Sequence, residues 1–199
     1  MKITPELVIA VYRQGIFPMA DSRTGTVGWY RPQERGILPL DEIHVPKSLA
    51  QLIRSRPFEI VSDRDLPGVI EACARRDDTW ISNEIQEVYI ELHRRKFVHS
   101  VEAWREGKLV GGLYGVHIHG AFMAESMFHR VTDAGKICVV ALAEHLRTRG
   151  FSLLDIQEVT QATRPFGGIT LPHEAYLKRL GHALRKDPAW DPFTFSGRR

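Results

Sequence analysis

The sequence predicts an α+β fold: a mixed sheet with flanking helices, preceded by a small N-terminal segment. Three observations point there. Apolar positions recur at helical spacing in several separate segments. A strand pair joined by a tight turn, Ser100–Trp104 and Leu109–Ile118 around Glu106-Gly107, occupies the middle of the chain. A long apolar helix over Gly135–Arg149 then leads into a short apolar strand, the order of a crossover connection in a mixed sheet.

Taken in order, Thr4-Pro5-Glu6 opens a helix with a capping hydroxyl, a proline in the first turn and an early acid. That helix carries Leu7, Val8, Val11 and Tyr12 and stops at Gly15. A turn-rich stretch with Gly25, Gly28, Pro32 and Gly36 follows, and the boundary between residues 1–35 and 36–199 is drawn there. Helices are expected over 46–55, 66–75 and 83–95. Beyond the central hairpin, Gly120 turns the chain into a strand over 121–126. Gly150 ends the long helix, a strand covers Phe151–Ile156, and a helix at 173–185 precedes a proline-containing tail.

The chain has 199 residues, a hydrophobic fraction of 43% and a charged fraction of 26%, so it can bury a core without staples. The two cysteines, Cys73 and Cys138, sit among apolar or small neighbours and read as buried reduced thiols. No secretory leader and no apolar run of roughly 18 residues is visible, so a cytoplasmic protein with no membrane partner is expected. A net charge of +3 is compatible with an RNA partner without demanding one.

Few residues are placed to carry chemistry. Asp155 ends an otherwise apolar strand, and Gln157, two residues on, is expected on the same side. Carboxyl ends of strands in open sheets are common ligand sites, although a polar strand end that caps a loop is the simpler reading of the pair. Glu125 closes the strand before the long helix. Two acids at neighbouring strand ends can hold an ammonium group or take its proton, and the plain alternative for Glu125 is a salt bridge to Lys136 or an arginine. Three glycines within Gly111–Gly115 suggest a bulge or a ligand close to the backbone, against tight packing of the crossover helix.

Lys47, Arg54 and Arg56 lie on or near one short helix and either grip phosphates or form a solvated face. His117 and His119 lack a third ligand at useful spacing, and Arg130–Ile137 lacks the first glycine and the final hydroxyl residue of a phosphate loop. No Gly-Xaa-Ser-Xaa-Gly elbow occurs, and no cysteine sits in an electropositive motif, so covalent catalysis has no candidate.

Seven strings along the chain resemble the leucyl/phenylalanyl-tRNA–protein transferases. They are YRQGIFP at Tyr12–Pro18, WYRPQERGILP at Trp29–Pro39, DTWI at Asp78–Ile81, HSVEAW at His99–Trp104, LVGGLYGV at Leu109–Val116, ESMF from Glu125 and LLDIQ ending at Gln157. The match spans residues 3 to 182 in family order.

The resemblance implies a GNAT-like mixed sheet with flanking helices after a small N-terminal domain, and transfer of Leu, Phe or Met from aminoacyl-tRNA to proteins that begin with Lys or Arg, marking them for degradation by the N-end rule pathway. It implies that Asp155 and Gln157 form the catalytic pair, with Glu125 in the aminoacyl site. Leu113, Phe122, Met127, Leu142 and Leu154 would line an apolar pocket. Tyr12, Trp80 and Tyr89 would flank the terminal adenosine, and Lys47, Arg54 and Arg56 would face the acceptor stem. An aminoacyl ester is already activated, so no cofactor and no metal is expected, and a monomer suffices.

The chain departs from the family's pattern in starting at the family's first helix. It has Met19 after Phe17-Pro18 where tryptophan is usual, Tyr30 for a second tryptophan, Ile156 for cysteine and Gly135 for serine. Ala50 and Gln51 stand where cations are common. These changes bear on amino-acid choice and tRNA affinity. The competing functions are a GNAT-type N-acetyltransferase using acetyl-CoA and a non-catalytic tRNA-binding relative.

Overall fold

Helix α1 (Pro5–Tyr12) begins where Thr4 Oγ1 accepts from the Leu7 amide, and it buries Val8 and Tyr12. The computed structural model describes residues 3–75 and 79–197. The turn-rich stretch after α1 holds more regular structure than its composition suggests. β1 (Phe17–Ala20) and β2 (Val27–Tyr30) pair as an antiparallel hairpin, and β3 (Glu34–Leu38) enters the main sheet.

After α2 (Lys47–Ser55) come β4 (Glu59–Ser62), α3 (Leu66–Ala74) and α4 (Asn83–Arg94). The predicted hairpin is β5 (Val98–Arg105) and β6 (Lys108–Ile118), joined at Glu106-Gly107. β7 (Ala121–His129) runs three residues beyond its predicted end, so Glu125 lies within the strand rather than closing it. α5 (Ala134–Thr148) crosses over to β8 (Leu153–Gln157), then β9 (Ile169–Pro172), α6 (His173–Ala183) and the two-residue β10 (Thr194–Phe195) complete the described chain.

The main sheet has the order β10-β4-β5-β6-β7-β8-β3-β9, and all its neighbours are antiparallel except β7 and β8. This is the mixed sheet the sequence predicts, with α5 as the crossover. Apolar layers cover both faces. Val69, Tyr89, Met123 and Tyr176 belong to one layer, and Ile53, Phe122, Leu142 and Leu154 to the other. Both cysteines are buried and outside any disulfide, as expected.

Two of the strand glycines have a steric cause. A Cβ at Gly111 would meet the Ala134 Cβ at 2.6 Å, so this position admits the start of α5. A Cβ at Gly115 would meet Met123 O and the Phe122 ring, each at 2.4 Å, at the register shift where β6 bulges against β7. The bulge is present, and close packing rather than a ligand against the backbone accounts for both glycines.

The C-terminal tail is held by Trp190. Its Nε1–H donates to Asp63 Oδ2 at 2.8 Å, and its ring stacks 4.4 Å from His99 and 5.3 Å from Phe122. Among the described residues no helix is long and apolar enough to cross a membrane.

Candidate active site

The site follows from a parting of strands. β7 and β8 pair through Ala121↔Leu153, Phe122↔Leu154 and Met123↔Asp155, and no pairing continues beyond. Both strands run on, and a cavity of about 720 Å³ is lined by Ala124–Arg130 of one and by Ile156 and Glu158 from the end of the other. Leu113, Trp80, Val139 and Arg75 complete much of its wall. The opening lies at the carboxyl ends of the only parallel pair among the described strands, where ligands enter open mixed sheets.

Asp155 is the last β8 residue paired with β7, and it is fully buried. Arg35 of β3 grips it. Nε donates to both carboxylate oxygens at 3.0 Å, and Nη2 donates to Oδ2 at 2.8 Å. Tyr176 Oη donates to Oδ2 at 2.7 Å, and the Gln157 amide donates to Oδ1 at 2.8 Å. The Arg35 guanidinium lies 4.5 Å from the centre of the Phe17 ring and 5.0 Å from that of Tyr176. Burial pushes Arg35 toward neutrality, but the charge and hydrogen bonds of Asp155 outweigh it and hold the group above its usual range. Sequence reading missed Arg35 and Tyr176, which no local pattern connects to a strand 120 and 21 residues away.

Gln157 does not simply continue the strand. Its φ is 61°, an uncommon conformation for a residue with a side chain, and the Asp155–amide bond holds it there. The expected period-two alignment with Asp155 therefore stops at this residue.

Glu125 projects from β7 into the cavity and is only 9% exposed. Burial pushes its carboxyl up to about 7, while a hydrogen bond from Tyr12, the charge of Arg35 and the amide of Gln157 oppose the rise and the charge of Asp155 adds to it. Tyr89 Oη donates to Oε2 over a long 3.5 Å and is itself 2.6 Å from Tyr12 Oη. Among the described residues, Glu125 Oε1, Gln157 Nε2 and Arg35 Nη1 are buried without a partner at hydrogen-bonding distance. The Gln157 amide is thus near enough to act on Glu125 electrostatically but does not form a short hydrogen bond with it. The alternative of a Glu125–Lys136 bridge is not realised, since Lys136 Nζ donates to Asp133 Oδ1 at 2.7 Å.

The remaining expected residues divide. Leu113, Met127, Trp80 and Glu125 line the cavity. Phe122, Leu142 and Leu154 do not. They are buried in the layer between sheet and α5, behind the cavity wall. Tyr12 and Tyr89 are each 1% exposed, so their rings offer no free face for stacking, and their hydroxyls serve Glu125 instead. Asp78 of the DTWI string lies outside the described residues. Lys47 and Arg54 are exposed two turns apart on α2, and exposed Arg56 ends that helix with φ 50°. None of the three is part of the cavity wall, which has its own cations in Arg75 and Arg130.

Asp63, His93 and His99 bring possible metal-ligand atoms within 4.8 Å of one another. Asp63 Oδ2 already accepts from Trp190 and bonds His99 Nδ1, and Oδ1 accepts from the Ser100 amide, which ties this cluster to the anchoring of the tail.

A cavity with apolar walls and a buried carboxyl that burial raises to about 7 suits an acyltransferase that handles amines. The family described as leucyl/phenylalanyl-tRNA protein transferase matches residues 37–181, and its N-terminal domain matches residues 1–33. The chain is 48% identical over 190 residues to the leucyl/phenylalanyl-tRNA–protein transferase of Salinibacter ruber, covering 96% of this chain and 84% of that one. It is 49% identical over 191 residues to the protein of that name from Rubrobacter xylanophilus, covering 96% and 100%, and 46% identical over 189 residues to that from Akkermansia muciniphila, covering 93% and 98%. The chain belongs to the leucyl/phenylalanyl-tRNA protein transferase family.

Proposed function

We propose that this protein takes Leu, Phe or Met from aminoacyl-tRNA and joins it to the N-terminal Lys or Arg of proteins, marking them for degradation. In this reading it works in the cytoplasm as a monomer, with residues 1–35 as a small N-terminal domain and 36–199 as the transfer domain. The observation that carries it is the cavity between the parted ends of β7 and β8. Apolar Leu113, Met127, Val139 and Ile156 share its wall with Glu125, on which Gln157 and Arg35 act from outside the wall.

The apolar walls take the aminoacyl side chain, and Trp80 at the cavity takes a face of the terminal adenosine. Lys47, Arg54 and Arg56, together with Arg75 and Arg130 at the cavity, offer phosphate contacts. The ester is activated before it arrives, so the chain has to position the amine, remove its proton and stabilise the oxyanion that forms. Gln157 Nε2, a donor without a short hydrogen bond beside Glu125, is suited to that oxyanion. Asp155, with both oxygens occupied, acts as a positioning residue that holds Gln157 and Arg35 in place.

The test is incubation of the purified protein with labelled Leu-, Phe- and Arg-tRNA and peptides beginning with Lys, Arg or Ala. Transfer of Leu and Phe to the Lys and Arg peptides is expected. Transfer from Arg-tRNA alone, or equal labelling of the Ala peptide, would overturn the reading.

A further inference from the structure

An α-amine with a pKa of about 7.7–8 is largely protonated at neutral pH and must lose a proton before it attacks an ester. Asp155, the carboxylate that the sequence puts forward for this task, is fully buried and absent from the cavity wall, and each of its oxygens already accepts at least two hydrogen bonds. An incoming amine could reach it only by dismantling the Arg35 pair. The Gln157 amide is a donor and acceptor but not a base at neutral pH.

Glu125 has the opposite geometry. It forms part of the cavity wall, its buried Oε1 has no short hydrogen bond among the described residues, and its other oxygen receives a long bond from Tyr89, with Tyr12 and Gln157 close enough to act on the carboxyl. The polar and charged groups facing it are Tyr12 of α1, Tyr89 of α4, Arg35 of β3, and Asp155 and Gln157 of β8.

We infer that Glu125, through Oε1, takes the proton from the α-ammonium of the acceptor, while Asp155 only positions its neighbours. The inference rests on the aminoacyl-transfer reading above. One ammonium proton passes to the Glu125 carboxylate. The freed nitrogen lone pair forms a bond to the ester carbonyl carbon, and the bond from that carbon to the ribose oxygen then breaks. A second proton from the same nitrogen goes to the departing ribose oxygen, which leaves as a hydroxyl, and Glu125 later returns its proton to water. The net reaction is ammonium plus ester giving amide, tRNA hydroxyl and one proton. The carboxyl's value of about 7 lies close to that of the amine, so the transfer is nearly isoenergetic. Tyr12 and Tyr89, both held well above the usual phenol range by burial and the charge of Glu125, stay neutral and do not compete for the proton.

The experiment is single-turnover transfer from Leu-tRNA to an Arg-peptide amine and to the same peptide carrying a terminal hydrazide, a nucleophile already neutral at pH 7. Glu125→Gln, shown by its melting curve to be folded, should lose about 10²–10⁴-fold on the amine and less than about tenfold on the hydrazide. Glu125→Asp should recover part of the amine rate. With wild type and the amine, the rate should climb with pH through about 7, and Glu125→Gln should move that rise to the amine's own value near 7.7–8. Equal losses on both nucleophiles, or a Glu125→Gln rate within about threefold of wild type, overturn the assignment. If Glu125→Gln does not fold, the wild-type profile decides, because the rise near 7 must flatten with the hydrazide and its persistence refutes the role. Wild-type protein that transfers from no aminoacyl-tRNA overturns the underlying reading, and the role of Glu125 falls with it.

Discussion

Replacing Arg35 with methionine keeps much of the side-chain volume and removes the cation that pairs with Asp155. The two side chains are wholly buried, and three hydrogen bonds join them. The variant therefore leaves a carboxylate enclosed with only the Tyr176 hydroxyl and the Gln157 amide as donors. Breaking a buried pair from one side costs about 3–5 kcal/mol, against a total stability of roughly 5–15 kcal/mol for a domain. At about 2–4 °C per kcal/mol for a chain of this size, the midpoint should fall by roughly 6–20 °C. Urea titrations at pH 7 on Arg35→Met, Asp155→Leu and the double variant measure the effect. The double variant should be at least about 2 kcal/mol less damaged than the sum of the singles, since neither charge is then stranded. Additivity within about 0.5 kcal/mol, or an Arg35→Met loss below about 1 kcal/mol, would show that the pair is not what holds β3 to β8. Loss of the pair also loosens Asp155, whose Oδ1 holds Gln157 at its φ of 61°, so transfer by the folded fraction of Arg35→Met should drop as well.

The raised Glu125 carboxyl makes a stability prediction of its own. Its folded value of about 7 exceeds the ordinary 4.5, so the folded state binds this proton more tightly, and the stability it contributes below pH 4.5 is lost as pH rises through 7. Glu125→Gln should thus be more stable than wild type at pH 8 by about 3 kcal/mol, with the gap closing near pH 4.5. A pH-independent difference in urea midpoints would contradict this. Neutralising Lys47, Arg54 and Arg56 together should flatten the log–log salt dependence of tRNA affinity by up to about 3, at roughly 0.9 per phosphate contact. An unchanged slope would place the tRNA elsewhere. The walls Leu113, Met127, Val139 and Ile156 should favour Leu-tRNA over Val-tRNA by only about 1–3 kcal/mol, and equal rates would remove these residues from the selection of the amino acid. Transfer should persist in EDTA with intact tRNA, because the ester is activated in advance, and a loss restored by a divalent ion would refute that.

Local patterns decided much of this protein. The Thr4 cap, the proline after it and apolar positions at helical spacing placed α1, and the same logic located α2 to α6 within a residue or two. Glu106-Gly107 set the β5–β6 hairpin, and the seven strings in their order carry the likeness to the family. These features are legible because caps, turns and periodic faces depend on neighbours a few residues away.

Tertiary structure alone decided the rest. β1 to β3 lie in a stretch rich in turn residues, and β4, β9 and β10 are two to four residues long, too short for alternation to show. β3, β4, β9 and β10 are strands because partners distant in sequence complete their hydrogen bonds, whereas β1 and β2 pair with each other across a turn. The same holds at the site. Asp155 and Glu125 both end or interrupt apolar runs and look alike in sequence. A single arginine 120 residues away engages one and leaves the other at the cavity, because which carboxylate receives a counterion depends on which strand becomes its neighbour in the sheet. Phe122, Leu142 and Leu154 were placed in the pocket and lie behind its wall for a related reason. An apolar residue's face is set by strand register and helix packing, and burial alone does not distinguish a cavity lining from the core beneath it.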